Sequence, residues 1–405
     1  MVLRAIGRSA SQFAHHDAII IAGCRDSWEQ MDVLNLTAST MPHRTWAEID
    51  RSALRHNVTA IREQAGERVR IMAVVKADAY GHGLRHVVPA IADDVEMFGV
   101  ANVTEAHEVR ELTATHPVFL LGPALAEERA EVVVQRFIPA VSTVEEAAAY
   151  AALAGVEPLE IHLAVDTGMG RIGIWQDDAL EIVRAIRKLD GVRVTGIGSH
   201  LPVADEDDKF TREQLERFEN LVAELRVDGL VSPVIHVANS AGVIGFPAHA
   251  GDLVRPGLML YGCAPRPEFQ TRLRAVMTWK TRVLLVREVG PGRGLSYGRT
   301  FITDRAMRVA VLAVGYADGY RRHLSNNGAE VLIRGRRCAV LGRVTMDQIL
   351  ADVTALPEAQ ASEEVVLLGR QGDEEISAAE LSAKAGTIPW EIFTGLGPRV
   401  VRVGG

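Results

Sequence analysis

Cysteine is scarce in this sequence, and long uncharged apolar runs are absent. The three cysteines, Cys24, Cys263 and Cys338, are far apart and lack Cys-x-x-Cys spacing. They therefore indicate reduced thiols in a cytoplasmic protein rather than a disulfide framework, and they predict no metal site. No uncharged apolar run approaches the ~18 residues that cross a bilayer, which argues against a membrane protein. Basic residues are not in excess either: the formal net charge of −8 argues against a nucleic-acid-binding protein.

The length of 405 residues is enough for two domains. Residues 1–42 come before the regular pattern and contain only one short apolar patch, Ala18–Ala22. This patch is too short for a secretory signal peptide, and the acidic residues near it are atypical of a mitochondrial presequence. We expect residues 1–42 to be an appendage, or else Met41 to be the true start of the protein.

Eight short apolar runs alternate with stretches rich in Ala, Glu, Leu and Arg. This alternation predicts parallel strands that are buried on both faces and connected by helices. Eight such units over roughly 240 residues match a TIM barrel. An open doubly wound sheet is the alternative, but no Gly-x-Gly-x-x-Gly motif follows the first run. We therefore predict a TIM barrel over residues 43–285. The runs are Arg70–Val75, Met97–Val100, Val118–Leu121, Phe137–Val141, Leu159–Val165, Val192–Ile197, Val234–Val237 and Leu253–Leu260.

Beyond the barrel, β-branched runs are separated by clusters of Gly, Pro, Asn and Asp. Helix-forming sequence is confined to the end of the chain, where Ser377 is a candidate N-cap. Residues 286–405 therefore predict a second, mostly β domain. Its predicted strands are Val283–Val289, Met307–Val314, Glu330–Ile333, Cys338–Leu341, Ile349–Val353 and Glu364–Leu368.

A lysine, Lys76, follows directly on the first apolar run. TIM barrels build their active sites at the C-terminal ends of the strands. A lysine desolvated there has a lowered pKa, which makes its neutral amine available for covalent chemistry with a carbonyl group. Its position alone would still favour a solvated lysine that merely ends the strand, so the surrounding motif has to decide.

That motif, Val75-Lys76-Ala77-Asp78-Ala79-Tyr80-Gly81-His82-Gly83, resembles the cofactor-lysine signature of the alanine racemase family. Further motifs of that family follow in the same order along nearly the whole chain from residue 44, which makes coincidence negligible. They are Asp166–Gly173, Ser199-His200, His236–Ser240, Arg255–Leu258, Gly294–Gly298, Val314–Tyr320 and Gly342–Gln348.

The resemblance implies a pyridoxal-phosphate enzyme in which Lys76 carries the cofactor. The serine and glycine that it assigns to phosphate binding follow strands seven and eight, where TIM barrels frequently bind phosphate. It also implies that Arg171 faces the phenolic oxygen, that His236 stacks on the pyridine ring and that Arg255 meets the ring nitrogen. The implied cofactor residues are Lys76, Tyr80, Arg171, His236, Asn239, Ser240, Arg255, Gly257 and Leu258.

The same resemblance implies interconversion of L- and D-alanine by two bases on opposite faces of the substrate, which would supply D-alanine for cell-wall precursors. Lys76 would serve the D-face and Tyr297, from the other subunit, the L-face. His200 and Arg255 would assist the tyrosine as a relay, because tyrosine is a poor base without such neighbours. We therefore expect a cytoplasmic homodimer with shared active sites. The implied substrate residues are Arg171, Tyr316, Met346 and Asp347.

Two positions depart from the family pattern. Ala164 stands where many members have a carbamylated lysine, so Arg171 needs another anion: Asp166, a bound chloride or none. Pro398 stands where the family often has a tyrosine that narrows the pocket. These departures keep a broad-specificity racemase and a non-catalytic homologue as alternatives. A lone cofactor-carrier barrel would lack the β domain, and a basic amino-acid decarboxylase would need an acidic residue in place of Arg255.

Overall fold

One of the two large β-sheets in the described structure forms the barrel that the sequence predicts. The computed structural model describes residues 42–229 and 233–404, so the predicted appendage lies almost wholly outside the described residues. Eight parallel strands pair in chain order, and the eighth pairs with the first. Two isolated bridges, His236–Gly251 and Asn239–Arg255, join the segments around the seventh and eighth strands. The strands are Arg70–Val74, Met97–Val100, Val118–Leu120, Ile138–Val141, Leu159–Asp166, Val192–Gly198, Val234–His236 and Leu253–Val254.

The eighth strand is shorter than predicted. It ends at Val254, and Leu258–Tyr261 forms a 3₁₀ turn rather than the end of a strand. Pro256 has no N–H to donate to a strand ladder, which explains why the strand stops before it. As a result, Arg255 and Gly257 follow the last strand and lie at the mouth of the barrel.

Helices alternate with the strands on the outside of the barrel. Several begin where the sequence supplies a capping side chain: Asp50, Asn102, Thr143 and Asp207 each accept a hydrogen bond from an amide in the first turn. The helices are Arg51–Ala65, Leu84–Ile91, Val103–Leu112, Arg129–Gln135, Val144–Leu153, Ala179–Ile186, Asp208–Val227 and Ser240–Gly245, with one short turn at Lys76–Tyr80. None of the helices in the described ranges is long and apolar enough to cross a membrane.

The second large sheet belongs to a β-rich domain, as predicted, and it contains strands from both before and after the barrel. The strand Thr45–Ile49 comes before the barrel but pairs with Met277–Val289 and with Val401–Gly404. The predicted boundary at residues 285 and 286 falls inside Met277–Val289, and we propose counting residues 43–49 and 277–285 with this second domain. The other strands of this sheet are Met307–Leu312, Glu330–Ile333, Arg336–Leu341, Ile349–Asp352, Glu364–Gln371 and Glu374–Ile376. The strands Gly294–Leu295 and Phe301–Ile302 form a separate two-stranded sheet.

The C-terminal segment closes against the mouth of the barrel. Ser377 caps the helix Ala378–Ala385 through the amide of Glu380, as predicted, and a second helix follows at Pro389–Thr394. This second helix contacts the turn after the first barrel strand so closely that a Cβ atom on Gly81 would overlap the carbonyl of Phe393. The C-terminal domain therefore supplies part of the wall around the barrel mouth.

Candidate active site

The predicted site residues of the barrel line one cavity of about 660 Å³ at the C-terminal ends of its strands. The C-terminal domain adds Trp390 and Thr394 to the wall. The predicted residues that line the cavity are Lys76, Tyr80, Arg171, His200, His236, Asn239, Ser240, Arg255, Gly257 and Leu258. The four predicted residues from the second domain, Tyr297, Tyr316, Met346 and Asp347, are not among those that line it.

Lys76 opens a left-handed helical turn. The four residues from Ala77 to Tyr80 all have φ between 51° and 54°. The turn is closed by hydrogen bonds of 2.8 Å from Ala79 N to Val75 O and from Gly81 N to Ala77 O. None of these four residues is glycine, and a left-handed conformation costs a residue with a side chain roughly 1–2 kcal/mol. Contacts from outside the turn must therefore stabilise it.

Two carboxylates provide such contacts. Glu105 accepts from the amide of Ala77 and from the amide of Ala101, both at 2.8 Å, with one oxygen for each. Asp78 accepts from the amide of Leu84 at 2.7 Å. Glu105 therefore ties the residue after Lys76 to the end of the second barrel strand, which fixes where the lysine leaves the backbone.

The Lys76 side chain is half-buried in the wall of the cavity. Burial lowers the pKa of its amine below the ordinary lysine value, and the charge of Arg171 lowers it further, whereas Glu105 acts in the opposite sense. A larger share of Lys76 is thus neutral and nucleophilic near neutral pH than for a solvated lysine.

Hydrogen-bond donors from three segments converge at one end of the cavity. The Ser240 hydroxyl oxygen accepts from the amides of Gly257 (3.0 Å) and Met259 (3.3 Å), so its own proton is left to donate to a ligand. Leu258 begins a 3₁₀ turn, and a first residue has no acceptor within its turn. Burial raises the pKa of Tyr80 to about 12, which keeps its hydroxyl a neutral donor.

Two contacts of Gly257 bear on its predicted place in the phosphate site. In the described structure its amide donates to the Ser240 hydroxyl (3.0 Å). Its lack of a side chain also matters, because a Cβ atom there would overlap the hydroxyl oxygen of Tyr80. The side chain of Asn239 has a structural role. Its Oδ1 accepts from the amide of Gly242 (3.0 Å), and its Nδ2 donates to the carbonyl of Leu201 (2.9 Å).

Arg255 is buried, and its guanidinium group is held by several acceptors. It donates to the carbonyl oxygens of His236 (2.7 Å), Ser199 (2.5 Å) and Val237 (3.3 Å). Burial, and then the charge of Arg171, lowers the pKa of Arg255 to about 10, so the group remains a cation at neutral pH. One Nη of Arg255 lies 3.4 Å from His200 Nδ1, the contact that the predicted relay needs. Burial and the nearby cations lower the pKa of His200 to about 3.

Asp166 is not placed as the counter-anion of Arg171. Its buried carboxylate accepts from the backbone amides of Gly168 (2.8 Å), Met169 (2.8 Å) and Arg171 (3.1 Å), which closes the loop after the fifth strand. Arg171 is exposed as a residue, and its guanidinium makes no ion pair with any residue in the described ranges. Ala164 lines the cavity at the position where the family pattern has its lysine.

The motifs of the second domain meet on an exposed surface. The Ser296 hydroxyl donates to the carbonyl of Arg343 (2.6 Å), and Tyr316 N donates to the carbonyl of Thr345 (2.9 Å). The exposed fractions are 72% for Tyr297, 42% for Tyr316 and 52% for Met346. In the described structure these side chains are open to solvent rather than directed into the cavity of the same chain.

Asp347 and Pro398 belong to the same part of the second domain. Asp347 pairs with Arg399 at 2.8 Å, and Arg399 also pairs with the buried Asp318 at 3.0 Å. Pro398 is exposed and does not line the cavity, so the narrowing tyrosine of the family pattern has no counterpart there.

Sequence reasoning missed several residues around the cavity. His162 lies two residues before Ala164 in the fifth barrel strand, and alternation along a strand puts both on the same face. This two-residue alternation could have predicted that His162 points the same way as Ala164. No comparable sequence signal predicted Glu105, Trp390 or Thr394, because only the folded chain brings them to the site.

Comparisons with known proteins agree with this geometry. Residues 49–265 match the family described as "Alanine racemase, N-terminal domain", and residues 276–404 match "Alanine racemase, C-terminal domain". The alanine racemase of Halothermothrix orenii is 42% identical over 364 residues, which cover 88% of this chain and 96% of that protein. The alanine racemase of Symbiobacterium thermophilum is 42% identical over 365 residues, with 88% and 96% covered.

Solved structures with the same fold include two whose names mention a ligand. The alanine racemase from Bacillus anthracis with bound L-Ala-P has a TM-score of 0.82 and 33% identity, with 90% of this chain and 96% of that chain covered. The alanine racemase from Bartonella henselae with covalently bound pyridoxal phosphate has a TM-score of 0.81 and 29% identity, with 90% and 100% covered. Fold, site geometry and both family matches lead to one conclusion: this chain belongs to the alanine racemase family.

Proposed function

We propose that this protein is a pyridoxal-phosphate-dependent isomerase that interconverts L- and D-alanine. The observation that carries the proposal is the convergence, in one cavity, of Lys76, Arg255 and the donor cluster around Ser240. Membership of the alanine racemase family supports the same reaction.

The residues present fit pyridoxal phosphate. The hydroxyls of Ser240 and Tyr80 and the amide of Leu258 are donors without a negative charge among them, the set that a phosphate group requires. Lys76 would hold the cofactor covalently, and Arg255 would hold its ring nitrogen. When bound, the cofactor supplies an electron sink that makes the substrate's α-C–H bond acidic enough to break.

The chain's own groups then handle the proton. Lys76, whose pKa is lowered by burial and by Arg171, can hold a proton at Nζ and release it on one face of the substrate. Arg255 remains a cation and does not give up a proton at neutral pH. Arg255, as a cation at the place proposed for the ring nitrogen, would leave that nitrogen unprotonated, which would favour return of a proton to the substrate carbon over transamination.

Tyr297 is proposed as the base on the opposite face, supplied by the second subunit of a homodimer. Its 72% exposure and its absence from the cavity of its own chain support that origin. Because Arg255 donates to Nδ1 of His200, the proton of a neutral His200 lies on Nε2, from which it can stabilise a tyrosinate. Solvent exclusion by the second subunit would complete the site.

Subunit exchange tests the proposal. A Lys76→Ala protein and a Tyr297→Phe protein should each be nearly inactive, while a mixed dimer places both lesions in one site and leaves the other intact. Part of the alanine racemisation should therefore return on mixing. If differently tagged subunits show that exchange has occurred but no activity returns, the result would count against the shared site. If neither the unaltered protein nor the mixture racemises alanine, the proposed function itself would be refuted.

A further inference from the structure

A buried chain of side chains extends from Arg255 into the core of the barrel. Nδ1 of His236 contacts Nη1 of Arg255, and Nε2 of His236 lies 3.0 Å from Nδ1 of His162. His236 is 3% exposed and His162 is 2% exposed. The proposed mechanism uses Arg255 but gives no role to His162.

The hydrogen-bond geometry admits one protonation pattern for this chain. A guanidinium group can only donate, so Nδ1 of His236 must accept from Arg255. A neutral His236 then carries its proton on Nε2, and that proton points at Nδ1 of His162, which must accept in turn. Both imidazoles are neutral, because burial and the charge of Arg255 lower the pKa of each.

Close packing fixes both rings in this arrangement. They lie against Gly196 and Gly198 of the neighbouring strand, where a Cβ atom would overlap the ring of His162 or of His236 respectively. On another side, the ring of Phe119 lies 5.0 Å from that of His162 and 5.6 Å from that of His236, between centroids. Neither imidazole has room to turn away from its partner.

We propose that His162 is a positioning residue for Arg255. By accepting the Nε2–H of His236, it selects the tautomer in which Nδ1 of His236 can accept from the guanidinium. Without that acceptor, His236 has a buried donor unsatisfied, and the alternative tautomer would set an N–H against the N–H of Arg255. The inference rests on the proposed function, in which Arg255 meets the cofactor's ring nitrogen.

Two matched variants test the role of His162. Asn and Leu have nearly the same size and shape, so His162→Asn and His162→Leu leave the same space beside His236. Only asparagine, however, offers an acceptor there. We expect His162→Asn to keep most of the alanine racemisation rate. We expect His162→Leu to lower kcat by about 10- to 100-fold, the effect of one unsatisfied buried donor, with KM little changed.

Protonation of His236 is measured separately from activity. In holoenzyme labelled with ¹⁵N-histidine, the ring nitrogens of His236 should report a neutral imidazole protonated at Nε2, both in the unaltered protein and in His162→Asn. The His162→Leu variant should lose this pattern.

Three results would overturn the inference. One is a His236 that is doubly protonated, or protonated at Nδ1, in the unaltered protein. Another is a ¹⁵N pattern of His236 in His162→Leu that is the same as in the unaltered protein. The third is equal loss of kcat in both variants, since His162 would then act only by filling the core. An unaltered protein without racemase activity would refute the proposed function, while the ¹⁵N pattern would still decide the role of His162.

Discussion

Substitution of Gly257 by alanine should damage the end of the cavity that we propose binds the phosphate, through one added methyl group. The added Cβ would overlap the hydroxyl oxygen of Tyr80 and lie 2.9 Å from its Cζ. Tyr80 is buried in a left-handed turn that Glu105 ties in place, so it cannot move aside cheaply. The φ angle of Gly257 is −117°, a value open to alanine, so the expected effect is steric rather than conformational.

Overpacking of this kind costs roughly 1–3 kcal/mol. If this overlap destabilises the cofactor-bound form, the Kd for pyridoxal phosphate should rise by about 5- to 150-fold, because each 1.4 kcal/mol corresponds to about a factor of ten. Titration of the apoprotein with pyridoxal phosphate measures this Kd. Gly122→Ala is the matched control, because Gly122 lines the same cavity and a Cβ atom there meets nothing within 4 Å. Equal affinities of the two variants would refute the steric role of Gly257.

Two further predictions concern the lysine turn and the width of the pocket. Glu105→Ala should lower the free energy of unfolding by about 1–3 kcal/mol, because the amides of Ala77 and Ala101 lose their acceptor. Glu105→Gln should lower the free energy of unfolding by less, because its amide oxygen can still accept from one of these two amides. Urea unfolding measures both, and two variants as stable as the unaltered protein would contradict the role of Glu105. Serine should be racemised within roughly two orders of magnitude of alanine, and Pro398→Tyr should sharpen the preference for alanine, since one pocket contact changes discrimination by about 10- to 200-fold. Ratios of kcat/KM test this, and rejection of serine by well over about a thousandfold in the unaltered protein would contradict it.

Barrel strands could be predicted because they depend on local sequence, whereas most cavity residues were implied by the resemblance of the motifs to a known family. A short apolar run such as Val118–Leu120 is buried on both faces, and such runs are typical of parallel strands wherever they occur. Residues that directly follow those strands, such as Lys76 and Ser199, must lie at one end of the barrel once the strands are parallel. The cavity therefore followed from strand order and from the motifs.

Features that depend on contacts between distant residues could not be predicted in the same way. Nothing in Ala77-Asp78-Ala79-Tyr80 favours a left-handed turn; it forms where Glu105, 28 residues later, accepts from Ala77. The strand Thr45–Ile49 joins its sheet through residues more than 200 positions away. The sequence likewise did not predict that the Gly257 amide donates to Ser240. Nor did it predict that the Asp166 carboxylate accepts from amides of its own loop.

The most direct test of this account is to find which lysine carries the cofactor. The holoenzyme is reduced with borohydride, digested, and the peptide bearing the pyridoxyl group is identified by mass spectrometry. We predict one modified site, Lys76, whose half-buried position and lowered pKa suit it to this linkage. Lys76→Arg, which keeps the charge but cannot form the linkage, should remain unlabelled. A label on any other lysine, or undiminished labelling of Lys76→Arg, would contradict the assignment of the barrel-mouth cavity as the active site.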